Sequence, residues 1–487
     1  MRAQFIVLTA LGLSACTAFG PDRKPPQMPA PQHFSTEAQA AQLPSADGIA
    51  QTVVAGAKPV PAWWEAYGSE ELNALVEEGL RHSPSLAAAQ STLKAAREQL
   101  RAQIGNTMLP SVDADFTPAR VRTPGIAEHE FQSNLFAAKV SGSYNFDFFG
   151  ASLLANRALA GQVQQQTFQL EATRRTLAAN IVTATINAAA LQEQVAATER
   201  LVALGEQRAQ ETAGHYKLGS ASRDEMLAAE QDAANAAATL PALRAQALTV
   251  RHAQAVLIGR TPDQAPPPMA LDSLHLPESV PVSVASDLLH QRPDILAAEA
   301  AVRAAADQAG AATAAMFPSL TLTAAYGRGG FNWSTLASPS GALWGVGASL
   351  TQPLFHGGAL RARKRQYQAT YEAAVSQYKQ TVLSAFRNVA DTLVALDEDA
   401  NTLAQTQRAE LAARNTNSDT ESRYKLGATP FYATLTAGQQ YQSAHVQYIR
   451  ARAGRLADTA ALLDSMGDPQ IASDFARASP PPLAKTH

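Results

Sequence analysis

Few residues in this chain could carry out chemistry, and their spacing does not form a catalytic or metal-binding site. Among 487 residues there is one cysteine, Cys16, which excludes an intramolecular disulfide and a cysteine-based zinc site. The ten histidines show no metal-ligand spacing, and the motifs H-E-x-x-H, G-x-S-x-G and the Walker loop are absent. The sequence therefore predicts no enzyme activity, no cofactor and no metal.

Cys16 lies where a lipid could be attached. A basic residue, Arg2, precedes a short apolar run over 5–13, which is typical of a signal peptide (1–15) and too short to span a bilayer. The Leu-Ser-Ala-Cys string ending at Cys16 resembles the bacterial lipobox, whose cysteine becomes the lipidated first residue of the mature protein. Thr17 rather than Asp at the next position fits outer-membrane sorting of lipoproteins. An ordinary secretion signal with an incidental cysteine is the alternative.

Composition favours long helices. The net charge of −3 does not indicate a nucleic-acid partner, and the chain is rich in Ala, Gln and Leu but poor in aromatic residues. No later stretch of about 18 consecutive apolar residues occurs, so we expect no transmembrane helix. Any membrane span has to use strands.

The chain repeats itself at a constant offset. The Tyr-Lys-Leu-Gly motif at 216–219 recurs at 424–427, and Pro110 in Leu-Pro-Ser corresponds to Pro318 in Phe-Pro-Ser, both at a difference of 208. Two glycine pairs follow at the same offset: Gly150 with Gly358, and Gly259 with Gly467. Several landmarks in one order at one offset indicate a structural duplication.

Proline-rich segments divide the duplicated chain. We predict a signal peptide (1–15), a lipidated N-terminal tether (16–61), a first repeat (62–260), a Pro-rich linker (261–283), a second repeat (284–468) and a disordered tail (469–487). Each repeat is predicted to contain a helix, two strands, a very long helix and a second helix.

The long helices are predicted over 152–216 and 360–424, which contain no proline. At 1.5 Å per residue each would reach on the order of 100 Å. Apolar and small residues recur at alternating steps of three and four along both, from Ile181 to Val202 and from Val375 to Leu396. This period is typical of left-handed coiled-coil packing, which an isolated soluble coiled coil would also show.

Four segments alternate between apolar and polar residues: 112–117, 136–148, 320–326 and 344–351. One apolar and one polar face suits a strand between lipid and a water-filled lumen, although a half-buried soluble strand alternates in the same way. Aromatic residues near the segment ends could form an interfacial girdle. Four strands cannot enclose a water-filled pore, and open edges are not tolerated in lipid, so a spanning barrel requires several copies.

These features resemble the TolC-type outer-membrane factor family, particularly its lipoprotein (NodT-like) branch. The resemblance rests on Trp63-Trp64, Leu72-Asn73-Ala74-Leu75, Arg292-Pro293-Asp294-Ile295 with Ala298-Glu299, Phe317-Pro318-Ser319-Leu320, Gln352-Pro353-Leu354-Phe355 before Gly357-Gly358, and the paired Tyr-Lys-Leu-Gly turns. It implies a mixed α and β membrane protein with an internal two-fold repeat. In the homotrimer, four strands per subunit form a twelve-stranded β-barrel, which a long α-helical coiled-coil barrel continues.

The resemblance also implies a function. The chain would be the outer-membrane channel subunit of a tripartite efflux pump, lipid-anchored in the bacterial outer membrane with its tunnel projecting into the periplasm. It would passively conduct drugs or other toxic small molecules. Its partners would be outer-membrane lipid, a periplasmic adaptor (membrane fusion protein) and an inner-membrane transporter of the RND type. The alternative is a non-conducting coiled-coil scaffold lipoprotein.

In that family the paired turns form the inner tip, where the adaptor docks. The resemblance therefore implies these docking residues: Tyr216, Lys217, Leu218, Gly219, Tyr424, Lys425, Leu426 and Gly427. By position, Glu225 would be the aperture acid able to hydrogen-bond Tyr424. The place of the family's linking arginine is held by Thr429, and the places of its two aspartate rings by Ala433 and Thr436. The closed state must then rest on other contacts. Alternatively, Glu225 is only a dipole partner at the start of the following helix.

A basic cluster follows the last predicted strand: Arg361, Arg363, Lys364 and Arg365. Positive charge in the first turns of a helix opposes the helix dipole, so a compensating partner is expected. Phosphates of the inner leaflet are one candidate partner. A solvated, salt-bridged helix start is the alternative.

Overall fold

The fold is given by a computed structural model, which describes residues 19–29, 31, 34, 42–45, 50–57, 60–123, 131–468 and 471. The predicted signal peptide, Cys16 and nearly all of the predicted tail lie outside the described residues. The chain forms two compact units. Unit 1 comprises Met1–Gln27, Ser91–Thr167 and Ala297–Gln380, and unit 2 comprises Met28–Gln90, Phe168–Leu296 and Thr381–His487.

Helices make up most of the described chain. They are α1 (Glu70–His82), α2 (Pro84–Met108), α3 (Ala151–Lys217), α4 (Arg223–Leu257), α5 (Ala285–Gln291), α6 (Pro293–Ala314), α7 (Trp333–Ala337), α8 (Ala359–Lys425) and α9 (Phe431–Ser465). The strands are β1 (Thr52–Ala55), β2 (Ser111–Thr123), β3 (Phe131–Phe146), β4 (Ser279–Val282), β5 (Ser319–Gly330) and β6 (Ala342–Thr351). Within the described residues, no helix is both long enough and apolar enough to cross a membrane.

The predicted duplication is present in the helices. Helices α3 and α8 have 67 residues each, and α4 and α9 have 35 residues each. The first residues of each pair differ by the 208 found in the sequence, as Ala151 and Ala359 do. The predicted apolar seams are buried, as at Ile181 in α3 and at Val382 and Val389 in α8. The two uninterrupted helices and the internal two-fold repeat are thereby confirmed.

Unit 2 contains a core around a short 3-10 helix, Trp63–Tyr67. Trp63 and Tyr67 are fully buried beside Leu72 and Ile181, and the Tyr67 hydroxyl donates to the Leu456 carbonyl at 2.7 Å. Burial of such large apolar side chains stabilises a core by about 1.5–3 kcal/mol each. The core therefore holds the helical segments of unit 2 together.

A small parallel sheet in unit 2 joins segments from the predicted tether and linker. Strand β1 pairs with β4 from Thr52 opposite Ser279 to Ala55 opposite Val282. The sequence does not predict either strand, because each has four residues and β4 contains a proline.

Unit 1 contains a four-stranded sheet in the order β2-β3-β5-β6, with every neighbouring pair antiparallel. The strands from the two repeats meet at the centre, where Phe146 of β3 lies opposite Leu320 of β5. All four strand ends that lead to or from the helices α2, α3, α6 and α8 lie at one end of the sheet, which we call the junction edge. The opposite end of the sheet, where Thr123 of β2 lies opposite Phe131 of β3, is called the loop edge.

The last helix of each repeat is followed by a glycine whose backbone lies in the left-handed region of φ/ψ space. Gly259 follows α4 with φ 83°, and Gly467 follows α9 with φ 77°. A Cβ on Gly259 would lie 2.6 Å from the His82 carbonyl oxygen, and one on Gly467 would likewise meet the backbone of Gln291. Both positions therefore demand glycine for conformation and for space.

We expect Gly259→Ala to destabilise the protein by about 2 kcal/mol, because it adds φ strain and a backbone clash. Gly105→Ala is the matched control. Gly105 lies inside α2, where an added methyl group would have nothing within 4 Å, so alanine should be neutral or stabilising there. Thermal unfolding of the detergent-solubilised protein measures both, and equal midpoints for the two variants would contradict this account of Gly259.

Candidate functional site

The register of the sheet places the apolar positions of all four strands on one face. Opposite residues share a face in antiparallel pairing, so a one-residue slip would mix the two sets. Two rows across the sheet read Ala114, Val140, Tyr326, Trp344 and Val112, Gly142, Ala324, Val346. The alternation predicted in each strand therefore extends into a continuous apolar face.

This apolar face is exposed. Tyr326 is 62% exposed, Trp344 78% and Val346 79%, and each belongs to the rows just described. A contiguous apolar surface of this kind is rare on soluble monomers and marks a surface that contacts lipid or protein.

The other face of the sheet is polar. Ser111 and Ser143 form a hydrogen bond of 2.8 Å between hydroxyls, and the Lys139 ammonium lies 4.0 Å from the Asp115 carboxylate. A groove of about 460 Å³ is lined in part by Asp113, together with Ser141 and Thr323 of this face. Serine, threonine and charged side chains on this side suit contact with water.

Aromatic side chains gather near both ends of the sheet. Near the loop edge, the Trp333 ring lies 4.7 Å from that of Phe136 and 6.0 Å from that of Phe116. Near the junction edge, the rings of Phe146 and Phe148 are 4.7 Å apart. The sequence predicts aromatic residues near the ends of the strands, and the structure has one aromatic group near each end of the sheet.

The sheet has two unpaired edges. Within the described residues, β2 pairs with β3 alone and β6 pairs with β5 alone. Each outer edge therefore presents backbone N–H and C=O groups without a strand partner, and edges of this kind readily pair with another chain.

The two Tyr-Lys-Leu-Gly motifs form the turns between α3 and α4 and between α8 and α9. Gly219 and Gly427 adopt φ values of 72° and 71°, and each ends its helix with backbone hydrogen bonds to the last turn. Leu218 is 83% and Leu426 84% exposed. Helix termination explains the glycines, but it does not explain an exposed leucine at the same position in each turn.

Beside the second turn, Tyr424 lines a groove in unit 2. The groove has a volume of about 540 Å³ and is lined by residues that include Arg200, Glu421, Tyr424, Phe431, Tyr441 and Gln442. The Tyr424 and Phe431 rings lie 5.3 Å apart, which fixes the tyrosine against the start of α9.

Glu225 forms a capping box at the start of α4. Its carboxylate accepts from the Ser222 N–H at 2.7 Å and from the Ser222 hydroxyl at 3.0 Å, while Ser222 Oγ accepts from the Glu225 N–H. These hydrogen bonds lower the pKa of Glu225. Within the described residues its carboxylate is engaged with Ser222 rather than with Tyr424, which favours the helix-start interpretation.

The other aperture positions carry no charge in the structure. Thr429 is half-buried in the turn before α9, and Ala433 lies in the first turn of that helix. The Thr436 hydroxyl donates to the Tyr432 carbonyl of its own helix at 3.2 Å. Pro430 at the N-cap supplies no side-chain hydrogen bond, unlike Ser222 in the first repeat.

A polar link that the sequence does not predict joins three helices of unit 2. The Arg208 guanidinium in α3 donates to the Tyr432 hydroxyl at 2.6 Å and to Gln439 Oε1 at 3.1 Å, both in α9. It also lies 3.6 Å from the Asp232 carboxylate in α4 and stacks over the Tyr432 ring at 4.8 Å. Arg208 therefore ties the first helical hairpin to the second near the turns.

Comparison with known proteins agrees with this geometry. The model of the family described as "Outer membrane efflux protein" matches residues 75–260 and 284–468. The chain belongs to this family. The resemblance inferred from the sequence is therefore confirmed.

Individual relatives of this outer membrane efflux protein span nearly its whole length. It is 29% identical over 428 residues to the pyoverdine export outer membrane protein OpmQ of Pseudomonas aeruginosa, covering 84% of this chain and 88% of that protein. It is 27% identical over 479 residues to the antibiotic efflux pump outer membrane protein ArpC of Pseudomonas putida, with coverages of 95% and 94%. The solved outer-membrane channel OprN matches with a TM-score of 0.80 at 25% identity, over 93% of this chain and 99% of that one.

The efflux protein also contains a half-buried acidic cluster in unit 2 that the sequence does not predict. Burial and the neighbouring Asp458 carboxyl raise the pKa of Asp399 to about 7. Burial also lowers the pKa of Arg455, which is 2% exposed, to about 10. The Asp397 carboxylate opposes this lowering of the Arg455 pKa, and Asp458 helps to raise the pKa of the Tyr67 hydroxyl. The Asp399 carboxyl is therefore protonated in part near neutral pH.

This cluster predicts a pH dependence of stability. A carboxyl whose pKa rises from 3.8 to about 7 on folding stabilises the fold in full below about 3.8, and this contribution is lost as pH rises through about 7. Asp399→Asn should make the thermal unfolding midpoint depend less on pH over this window. It should also raise that midpoint by about 2–4 °C at pH 8. Asp419→Asn, an exposed change on the same helix, should leave the wild-type pH profile intact. Parallel profiles for the wild type and Asp399→Asn would contradict the raised pKa of Asp399.

Proposed function

We propose that three copies of this chain form a twelve-stranded barrel in the outer membrane, which passively conducts small molecules out of the cell. The observation that carries the proposal is one sheet with an exposed apolar face and two unpaired edges. Lipid would cover the face, and β2 of one copy would pair with β6 of the next, so that no backbone group is left unpaired in hydrocarbon. The polar face would then line the lumen.

The described N-terminal segment supports a lipid anchor at the junction edge. The Phe19 ring lies 4.8 Å from that of Phe317, and the Arg23 guanidinium lies 3.0 Å from the buried Asp307 carboxylate. Gly310 makes room for the Phe19 backbone, which a Cβ there would contact. Cys16 precedes Phe19 by three residues, which reach about 10 Å at most. A lipid on Cys16 would therefore enter the membrane close to the junction edge.

The exposed turns support docking of a periplasmic adaptor. Leu218 and Leu426 repeat at the same position of both turns, where an apolar side chain gains from burial against a partner. The neighbouring turn residues, from Tyr216 to Gly219 and from Tyr424 to Gly427, would complete the docking surface. An inner-membrane transporter, which we propose to be of the RND type, would supply the energy, because no catalytic constellation occurs in the sequence.

The cargo is proposed only as a class. OpmQ is named for pyoverdine export and ArpC for antibiotic efflux, so related channels are named for chemically different molecules. A conduit lined by small polar groups need not select its cargo, which suits such a range.

Val346→Lys and Thr323→Lys test the two faces against each other. Val346 lies on the apolar face and Thr323 on the polar face, on neighbouring strands. A lysine in hydrocarbon costs about 2–4 kcal/mol at mid-membrane, so Val346→Lys should strongly reduce membrane-inserted trimer. Thr323→Lys should insert normally and shift the conductance in planar bilayers away from cations.

The wild-type protein should give a heat-sensitive trimer band on gels and discrete conductance steps. A non-conducting scaffold lipoprotein would show no conductance and would tolerate both lysines equally. These two results together would support the scaffold interpretation and contradict the channel interpretation.

We propose further that Arg208, rather than Glu225, holds the closed inner end. Opening has to separate helical hairpins, and the Arg208 contacts to Tyr432 and Gln439 join α3 to α9. The Glu225 contacts stay within the start of one helix. A link between hairpins resists their separation, whereas a capping box does not.

Arg208→Gln should therefore raise leakage of a large antibiotic such as vancomycin into cells that produce the protein, by about tenfold if the link contributes about 1.4 kcal/mol. Glu225→Ala should weaken the start of α4, because it removes one half of the capping box, and should leave leakage unchanged. Trimer yield is measured alongside to exclude misfolding. If Glu225→Ala raised leakage and Arg208→Gln did not, Glu225 would be the aperture residue and the proposed role of Arg208 would be wrong.

A further inference from the structure

The segment between β6 and the second turn of α8 carries an exposed surface that the channel function does not use. It consists of the apolar pair Leu354 and Phe355, 91% and 86% exposed, of the exposed Arg361 and Arg365, and of the half-buried Lys364. Spacings of three and four residues place the three cations on one side of the helix. We call this the junction patch.

The junction patch is fixed in place by the backbone around it. The Gln352 side-chain amide donates to the Met316 carbonyl at 3.1 Å and to the Pro353 carbonyl at 3.0 Å, which holds the connector against the start of the neighbouring strand. Gly357 and Gly358 then adopt φ values of 57° and 83° and turn the chain into α8. The apolar pair is therefore exposed by a defined turn.

In the part of the chain that the structure describes, no acidic side chain pairs with the cations of the junction patch. Arg361 and its neighbours form no ion pair within the described residues. In the sequence no Asp or Glu occurs between Asp307 and Glu372. The alternative from the sequence is a solvated, salt-bridged helix start, and within the described residues its salt bridges are absent, which leaves the cations to solvent or to a partner outside the chain.

The duplication supplies an internal comparison. At the start of α3, the equivalent helix, Asp147 accepts a hydrogen bond from the Leu153 N–H at 2.8 Å and places a carboxylate at the positive end of the dipole. At the start of α8 cations stand instead, where they oppose the dipole. Cations at a helix start destabilise it modestly, and an anion from outside the chain would relieve this cost.

We propose that the junction patch binds the headgroup of an anionic glycerophospholipid. The patch lies at the junction edge of the sheet, and the apolar face reaches that edge at Leu320 and Leu350, which are cross-strand partners. If that face meets hydrocarbon, as the proposed function requires, Leu354 and Phe355 lie at the level of the acyl chains and the cations at the level of the phosphates. A phosphate complements both the charges and the helix start.

The test compares lipids at the surface of the intact protein. The mature protein is reconstituted in phosphatidylcholine vesicles with trace spin-labelled phosphatidylglycerol or phosphatidylcholine, and the motionally restricted fraction gives their relative association. We expect phosphatidylglycerol to be favoured by about threefold at 0.1 M salt and by much less at 1 M, where charges are screened.

The decisive variant combines Arg361→Gln, Lys364→Gln and Arg365→Gln, and it should bring the ratio of the two lipids to about one. Its control removes three exposed cations elsewhere on α8 by Lys379→Gln, Arg408→Gln and Arg414→Gln, and should keep the wild-type ratio.

Equal association of the two lipids with the wild type, or an unchanged ratio in the decisive variant, would overturn the proposal. Loss of the trimer in that variant without any lipid preference in the wild type would assign the patch to a contact between copies and would also overturn it. If the protein conducts but associates equally with both lipids, the lipid site is rejected and the channel is kept. If it prefers phosphatidylglycerol but does not conduct, the channel is rejected and the lipid site is kept.

Discussion

If the sheet of unit 1 lies in hydrocarbon, as we propose, the pairing of its backbone groups is the constraint on which the rest of the structure depends. The sheet of unit 1 presents an apolar face that water does not tolerate, and its edge strands β2 and β6 present unpaired N–H and C=O groups that lipid does not tolerate. A single chain cannot satisfy both demands. Association that closes the sheet satisfies them together, because the same edge pairing that buries the backbone also separates a lipid side from a water side.

Each repeat contributes two of the four strands that such a closed structure would contain. Positions at which the two repeats differ show where their roles differ. Helices α3 and α8 match in length, as do α4 and α9, whereas the turns and helix starts differ. Ser222 and Glu225 cap α4, but Pro430 precedes α9 without a side-chain cap. Asp147 caps α3, but α8 begins with cations. Equivalent backbone positions thus carry different charges where the helices meet the turns and the sheet.

Much of the fold could be predicted from the sequence, because its main signals are local. The period of 3.5 along Ile181 to Val202 and the alternation along β3 follow from helix and strand geometry alone. The link through Arg208 could not be found in this way, since Tyr432 and Gln439 lie more than 200 positions further along the chain. A lone arginine in a polar helix has no distinguishing pattern.

The same limit applies elsewhere in unit 2. The pKa of Asp399 depends on Asp458 and on burial, which only packing determines. Strands β1 and β4 are too short to show a period and exist because they pair with each other. Glu225 illustrates the opposite case. The sequence placed it three residues after Ser222, which is the spacing of a capping box, so a local interpretation was available beside the one suggested by resemblance.

The distribution of charge in the sheet bears on what such a channel could select. On the polar face, Asp113, Asp115 and Lys139 all lie on β2 and β3, whereas β5 and β6 contribute neutral side chains such as Thr323 there. The acidic and basic groups of the first pair partly neutralise each other, as the contact of Lys139 with Asp115 shows. A lumen built from alternating charged and neutral strand pairs would offer neither a continuous field nor a shaped pocket. Selection is then left to a narrower part of the path, and Arg208 lies beside the turns, where the hairpins of unit 2 are joined.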